Sequence, residues 1–270
     1  MGLASWHFQC SVCGLEASTL EPTDLTADDR VVNEVDREVG LESLRKQGFS
    51  ETFRVLCKFK TEGRLLDVGC AHGWFLDAGR GAGFDCVGIE PSTRVAERAT
   101  QRGHRVLSGY FPSALSAGES FDVVSFNDVF EHIPDANSVM ESISAALRQD
   151  GVLSIAIPSN RGFFYRLSRS LARLGAIGPF ERMWQKQFSS PHVYYFNADV
   201  LTTIARRHGF EPLFQGSLPS VRLRGLWDRL TYDTGASLVK NMAVYALVVV
   251  ALPFLRILPA DIDLLMYRKI

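Results

Sequence analysis

The stretch Asp67-Val68-Gly69-Cys70-Ala71-His72-Gly73 stands where a short β-type run, Leu65-Leu66-Asp67-Val68, gives way to a helical pattern that starts at Trp74. Small residues at 69, 71 and 73 let the backbone pass close to a ligand. The helix behind them offers unpaired N–H groups and a positive dipole end. A nicotinamide dinucleotide site asks for Gly-x-Gly-x-x-Gly, with the last glycine packing the helix against the pyrophosphate. Here Ala71 holds the middle position and Trp74 the last. The turn therefore suits a ligand without a pyrophosphate, and a dinucleotide-dependent oxidoreductase remains the less favoured alternative.

Outward from this turn, β-type and helical runs alternate. Residues 86–90 read as strand and 92–102 as helix. A short strand follows at 104–107, then a strand over 121–126, a helix over 135–149 and a strand over 152–157. Strands alternating with helices predict parallel pairing and a doubly wound α/β sheet. Residues 1–24 read as an irregular lead and 28–60 as helix. The alternation resumes with a helix at 198–208, a strand near 210–215 and a last strand within 261–269. The expected organisation is a lead and helix over 1–60, a core over 61–216 carrying an insertion at 159–197, a cap insertion over 217–260, and a terminal core strand over 261–270.

Two further motifs fall at the ends of predicted strands. Glu90 closes Val87-Gly88-Ile89-Glu90-Pro91-Ser92, where a carboxylate can accept hydrogen bonds from both hydroxyls of a ribose. Phe121-Asp122-Val123-Val124-Ser125-Phe126-Asn127-Asp128-Val129-Phe130-Glu131-His132-Ile133-Pro134 is a strand whose polar tail opens at the same edge. In their order and spacing the three motifs resemble the class I S-adenosylmethionine-dependent methyltransferases, in particular the group with an Asp-Val-Gly-Cys-x-x-Gly turn and a Glu-His dipeptide after the fourth strand.

The resemblance runs from about Arg64 to Phe210 and implies a seven-stranded, mostly parallel Rossmann-like sheet with S-adenosyl-L-methionine as cofactor. It implies that Asp67, Gly69, Ala71 and Gly73, with Cys70 and His72 among them, wrap the amino-acid end of that cofactor. Glu90, followed by Pro91, would hold the ribose hydroxyls. Tyr110 and Phe111 would lie near the adenine, and Asn127, Asp128 and Val129 would face the methionine part. The sequence departs from the group at Ala71, where a glycine is commoner and a negative φ is expected. It also lacks an obvious adenine-side acid near 109–111.

Methyl transfer from a sulfonium is an in-line displacement, so the protein mainly aligns donor and acceptor, and a base is needed only when the acceptor must lose a proton. For a hydroxyl acceptor, histidine is the natural base. His132, beside the strand edge, and His192, in Ser190-Pro191-His192-Val193-Tyr194-Tyr195-Phe196, are the candidates. His132 could equally shape the loop through backbone hydrogen bonds. Asp128, Glu131 and His132 would share one side of a helical turn and resemble the Glu-x-x-Glu-His metal site of ubiquinone-pathway O-methyltransferases. Cys10 and Cys13 have the spacing of a zinc knuckle, with only His7 and Cys57 nearby to complete it. Two ordinary thiols is the blander reading, and Cys70 and Cys86 read as small core or turn residues.

The chain of 270 residues has 29 basic and 30 acidic side chains, which excludes a whole-molecule case for nucleic-acid binding. The balance is uneven: residues 160–270 carry 15 basic and 7 acidic side chains, a net +8. Arg166, Arg169 and Arg173 alternate with Phe163, Phe164, Leu167, Leu171 and Leu174 in a basic amphipathic helix, and Arg222, Arg224 and Arg229 follow in the second insertion. Such a cap suits either a lid with solvated arginines or contact with an anionic membrane surface. The longest uncharged apolar run, Met242 to Leu255, has 14 residues with Pro253 inside it, short of the roughly 20 that span a bilayer. No signal-like segment opens the chain and its five cysteines are an odd number, so a cytoplasmic protein, peripheral to the inner membrane face at most, is expected. The reading is thus a methyltransferase acting on oxygen of a small-molecule, sugar or lipid-linked acceptor. A non-catalytic, cofactor-binding partner subunit of the same fold is the alternative.

Overall fold

The computed structural model describes residues 2–22, 34–231 and 237–270, without the side chains of 34–39, 228 and 229. The predicted helical residues 28–33, the Arg229 side chain and residues 232–236 of the second insertion lie outside the described residues. Strands β1 (His7–Gln9) and β2 (Glu16–Ser18) precede helix α1 (Glu34–Leu56). Then come β3 (Gly63–Val68), α2 (Trp74–Gly81), β4 (Phe84–Glu90), α3 (Thr93–Gln101), β5 (Arg105–Ser108) and β6 (Phe121–Asn127). A single 3₁₀ turn, Phe130–His132, leads to α4 (Ala136–Ala146) and β7 (Leu147–Pro158). The remainder is α5 (Phe163–Arg173), α6 (Gly178–Met183), β8 (Tyr194–Tyr195), α7 (Ala198–Arg207), β9 (Phe210–Leu218), α8 (Leu226–Thr231), α9 (Leu238–Leu255) and β10 (Ile262–Lys269).

Seven strands form one sheet in the order β5-β4-β3-β6-β7-β10-β9, parallel except for β10, which runs antiparallel to both its neighbours. This is the doubly wound, mostly parallel α/β sheet that the alternation predicts. Successive side chains point to opposite faces of a strand. Leu65, Val123, Leu264 and Met266 enter one core with Phe53 of α1 and Phe75 of α2. Leu66, Val124, Leu265 and Tyr267 enter the other with Ile143 of α4 and Leu201 of α7. Strand order reverses at β3, between β4 and β6, and this switch point opens a crevice at the carboxyl ends of the strands.

Two local expectations are corrected. Residues 1–24 are not an irregular lead: β1 and β2 pair as a hairpin, and β2 pairs with β8 in a separate three-stranded sheet. Strands of two or three residues leave no readable period. Their hold is the buried Glu16 carboxylate, which accepts from Tyr165 Oη at 2.7 Å, Arg169 Nη1 at 2.8 Å and lies 2.7 Å from His7 Nε2. The predicted helix over 135–149 ends at Ala146, and 147–151 belong to β7. There Leu147 faces Phe121 while Val152 faces Val123, so the residues between bulge out around Asp150 at φ 58.

Candidate active site

Gly69 at φ 73 and Gly73 at φ 78 turn the chain from β3 into α2. A Cβ on Gly69 would stand 2.5 Å from Val129 Cγ2, and one on Gly73 would stand 3.0 Å from Ala99 Cβ and His104 Cδ2. Space and backbone conformation both call for glycine there. Ala71 corrects the expected negative φ: it sits at 44, in the left-handed region that costs a residue with a Cβ about 1–2 kcal/mol. Its N–H donates to Glu90 Oε2 at 3.0 Å, which holds the strained turn against β4.

Glu90 is buried, and its other oxygen accepts from the Ser92 N–H at 3.0 Å. One backbone N–H on each oxygen fixes this carboxylate at the end of β4. Asp67, also buried, accepts from Ser125 Oγ at 2.7 Å and from Asn127 Nδ2 at 3.0 Å through Oδ1. Burial, reinforced by the Glu90 charge, pushes its carboxyl up to about 7. Asp67 therefore fixes the Asn127 side chain across the crevice.

The other predicted residues of this edge are distributed as follows. The Cys70 thiol packs against Gly88, where an added Cβ would meet Sγ at 2.4 Å, so only its backbone belongs to the turn. Burial drives that thiol well above its usual range. The His72 ring leans on Trp74 with centroids 5.0 Å apart, and Pro91 is exposed beyond Glu90. Phe111 packs edge-on to Phe126 at 5.8 Å, whereas Tyr110 is 73% exposed. Asn127, Asp128 and Val129 close the far side, with Val129 against Gly69.

A second constellation lies next to the first. Glu131 Oε1 is 3.9 Å from His192 Nε2 and 4.0 Å from His132 Nε2, and the two imidazole centroids are 4.8 Å apart. His132 Nδ1–H donates to the Pro191 carbonyl at 2.9 Å, which leaves Nε2 as the basic atom. His192 Nε2 lies 2.9 Å from the Gln185 side-chain amide nitrogen. The Glu131 backbone is also part of this frame, because its carbonyl accepts from the Val193 N–H at 2.9 Å. Burial, with the Asp128 charge behind it, raises the Glu131 carboxyl well above the usual carboxylate range. Its Oε2 has no hydrogen-bond partner among the described residues.

Asp128, Glu131 and His132 do not form the predicted triplet. Asp128 is at φ 54 and precedes a 3₁₀ turn, so the spacing of an α-helix does not apply, and its carboxylate pairs with Arg45 Nη2 at 3.3 Å instead. Among the described residues, those that could hold a metal are Glu131, His132 and His192, whose ligand atoms lie within 4.8 Å of one another. Cys10 and Cys13 are exposed at the tip of the β1–β2 hairpin. The candidates for completing a zinc site lie elsewhere: His7 is buried against Glu16, and Cys57 packs beside Phe53.

A cavity of about 640 Å³ runs from Asn127, Asp128, Glu131 and His192 into the cap. Leu44, Arg45 and Phe49 of α1 form one wall. Their periodicity marks a helix in the sequence, but nothing local says that the helix stands over the crevice. Gln185 and Arg222 also line the cavity, and Arg222 is fixed by two 2.7 Å bonds to the Glu51 carboxylate.

This architecture agrees with the comparisons to known proteins. A family model described as a methyltransferase domain matches residues 42–214. The chain belongs to this methyltransferase-domain family. Among its relatives is the ubiquinone biosynthesis O-methyltransferase of Haemophilus ducreyi, 34% identical over 106 residues, covering 34% of this chain and 44% of that one. The chain spans about half the length of the curated relatives it matches first. In fold it is similar to the cyclopropane synthase MmaA2 from Mycobacterium tuberculosis, with TM-score 0.60 and 16% identity over 93% of this chain and 90% of that one. It is also similar to a phosphoethanolamine N-methyltransferase 2 from Haemonchus contortus in complex with S-adenosyl-L-methionine, with TM-score 0.55 and 21% identity over 81% and 52%. The family match spans the turn at 67–73. It leaves the Glu131 cluster and the cap to be read from this chain.

Proposed function

We propose that this family member transfers the methyl group of S-adenosyl-L-methionine to an oxygen of a small-molecule acceptor. The observation that carries the reading is Glu90, a buried carboxylate at the end of the second parallel strand, anchored by a backbone N–H on each oxygen at the position where an acid pairs with a ribose diol. The donor set fits the cofactor. Glu90 would hold its ribose hydroxyls and the 69–73 backbone its amino-acid end, while Asp67 would keep Asn127 in place beside them. When bound, the cofactor supplies an activated methyl group that needs no further activation by the protein.

The chain's own part is alignment and proton removal. The cavity joins the cofactor edge at Asn127 and Asp128, so an acceptor lying in it would approach in line while the cap helices exclude water. His192, in the cavity wall, would take the hydroxyl proton at Nε2, the acceptor hydroxyl displacing the Gln185 amide that donates to that atom. Glu131 would orient that imidazole, and His132, pinned to the Pro191 carbonyl, would orient Glu131. The name of the Haemophilus ducreyi relative supports an oxygen acceptor. A sugar or lipid-linked acceptor, and contact of the basic α5 with an anionic membrane surface, are the finer parts of the reading.

Calorimetric titration of S-adenosylhomocysteine into the wild type and Glu90→Ala tests it. One-to-one binding, weakened at least about tenfold by the substitution, is expected from the loss of charged hydrogen bonds. Absence of binding to folded wild-type protein overturns it. Binding without methyl transfer to any acceptor in a broad panel would favour the non-catalytic subunit.

A further inference from the structure

We infer that α9 lies flat in the surface of an anionic bilayer as a one-sided anchor. It has 18 residues, a mean hydropathy of 2.0 and only 11% of them buried. Leu238, Val239, Met242, Leu247, Val250 and Phe254 are 57% to 76% exposed. At about 100° per residue they occupy one side of the helix, and the buried Asn241 and Leu252 occupy the other. A continuous apolar face of this length is a contact surface.

Charge identifies what it contacts. No acidic residue occurs from 237 to 260, and Lys240 and Arg256 stand near the two ends of the helix. Arg182 lines the cavity that Val248 of α9 also lines, and Arg224 immediately precedes α8, which packs on α9. Neither arginine has a carboxylate partner among the described residues. The exposed Trp227 of α8 meets Tyr245 of α9 edge-on at 5.8 Å, an aromatic pair suited to the headgroup region. With the protein against the Asn241 and Leu252 side, the bare apolar side, the cationic ends and the bordering aromatics together match anionic lipid.

Topology rules out a span. The chain leaves the sheet at Leu218 and re-enters at Ile262, and these two residues are direct partners in the β9–β10 pairing. A spanning α9 would carry Leu255 to the far side of a hydrocarbon core about 30 Å thick. The seven Cα steps from Leu255 back to Ile262 reach about 25 Å at most and would have to cross that core without a helix. An in-plane helix satisfies the connection. Anchored this way, α9 sets Leu226, Leu230 and Val248 beside the bilayer, in the wall of the same cavity that Glu131 and His192 line. On the methyltransferase reading above, this gives a membrane-resident amphiphile as the acceptor class.

Co-sedimentation of the full chain with phosphatidylcholine vesicles, with and without phosphatidylglycerol, tests the anchor. The wild type should sediment with the mixed vesicles and much less with phosphatidylcholine alone. The double variant Leu247→Asp, Val250→Asp should lose at least tenfold in partitioning. The surface variant Lys240→Glu, Arg256→Glu, which leaves the apolar face intact, should lose its preference for phosphatidylglycerol. Wild-type protein that stays in the supernatant, or variants that sediment like wild type, overturn the inference. So does a wild-type dimer that the double aspartate variant makes monomeric, since a second copy would then cover α9. S-adenosylhomocysteine affinity, measured alongside, should be unchanged in both variants. Vesicle binding without cofactor binding would remove the methyltransferase reading and leave the anchor standing.

Discussion

The Glu131 carboxylate lies 3.9 Å from His192 Nε2, and the loop carrying His192 is tied back to the same glutamate by the bond from the Val193 N–H to the Glu131 carbonyl. Side chain and backbone of one residue thus set where the second histidine stands in the cavity wall. If His192 takes the acceptor proton, His192→Ala should lower kcat about 10²-fold or more, the usual range for a lost general base. Glu131→Gln should lower kcat less, and both variants should keep S-adenosylhomocysteine affinity within about threefold. Steady-state kinetics with paired titrations would show whether the losses fall on kcat or on binding.

The same three residues bear on metal dependence. In a four-coordinate site with ligands about 2.1 Å from the ion, neighbouring donor atoms are about 3.4 Å apart. The observed 3.9 and 4.0 Å separations from Glu131 to the two histidines are wider. Methyl transfer should therefore persist, within about twofold, after exhaustive treatment with EDTA. Restoration of lost activity by a divalent ion would instead make the cluster a metal centre.

Asp67 gives a pH dependence of fixed sign. Its folded-state pKa, raised by burial to about 7, exceeds the ordinary value of 3.8, so between these values the folded chain binds more protons than the unfolded one. Stability from this group is greatest at acid pH, falls as pH rises from about 4 to about 7, and is then level. The total is on the order of 4 kcal/mol. Asp67→Asn should remove this fall, so that thermal denaturation of variant and wild type differs more in the variant's favour at pH 8 than at pH 4.

Gly69 tests the turn sterically. Gly69→Ala places a methyl group 2.5 Å from Val129 Cγ2 in a left-handed backbone and should cost about 1–3 kcal/mol. Adding Val129→Ala should return the steric part but not the backbone part. A double-mutant cycle followed by urea denaturation separates the two.

Glu16 ties the hairpin to the first cap helix. Glu16→Ala leaves Arg169 and Tyr165 with no carboxylate in a buried site and should destabilise by about 3–5 kcal/mol. Hydrogen exchange should rise in 163–195 well before it rises in the parallel sheet. Equal exchange in both regions would mean that the hairpin and cap unfold only with the core.

Much of the site was legible because its signals are local. A Gly-rich turn between a β-type run and a helix, an acid ending the next strand, and a polar tail on the strand after that all read along the chain. Parallel pairing then brings them to one edge, because every parallel strand ends on the same side of the sheet. The conformation of Ala71 was not legible, since it is imposed by a hydrogen bond to Glu90 on another strand. The separation of Asp128 from Glu131 and His132 is hidden for a related reason: periodicity implies an α-helical turn where the backbone is left-handed and then 3₁₀.

The sequence by itself determined the alternation of strands and helices, the two-faced core and the cofactor-type edge, because each depends on patterns within a few residues. Only the tertiary structure decided that His132 and His192 converge on Glu131, that α1 walls the cavity, and that α9 keeps one face bare. Those outcomes rest on contacts between distant segments, and on β10 returning to pair beside β9, where the chain had left the sheet. A count of apolar residues measures what a helix can bury. The path of the chain before and after it decides whether the protein or its surroundings cover that face.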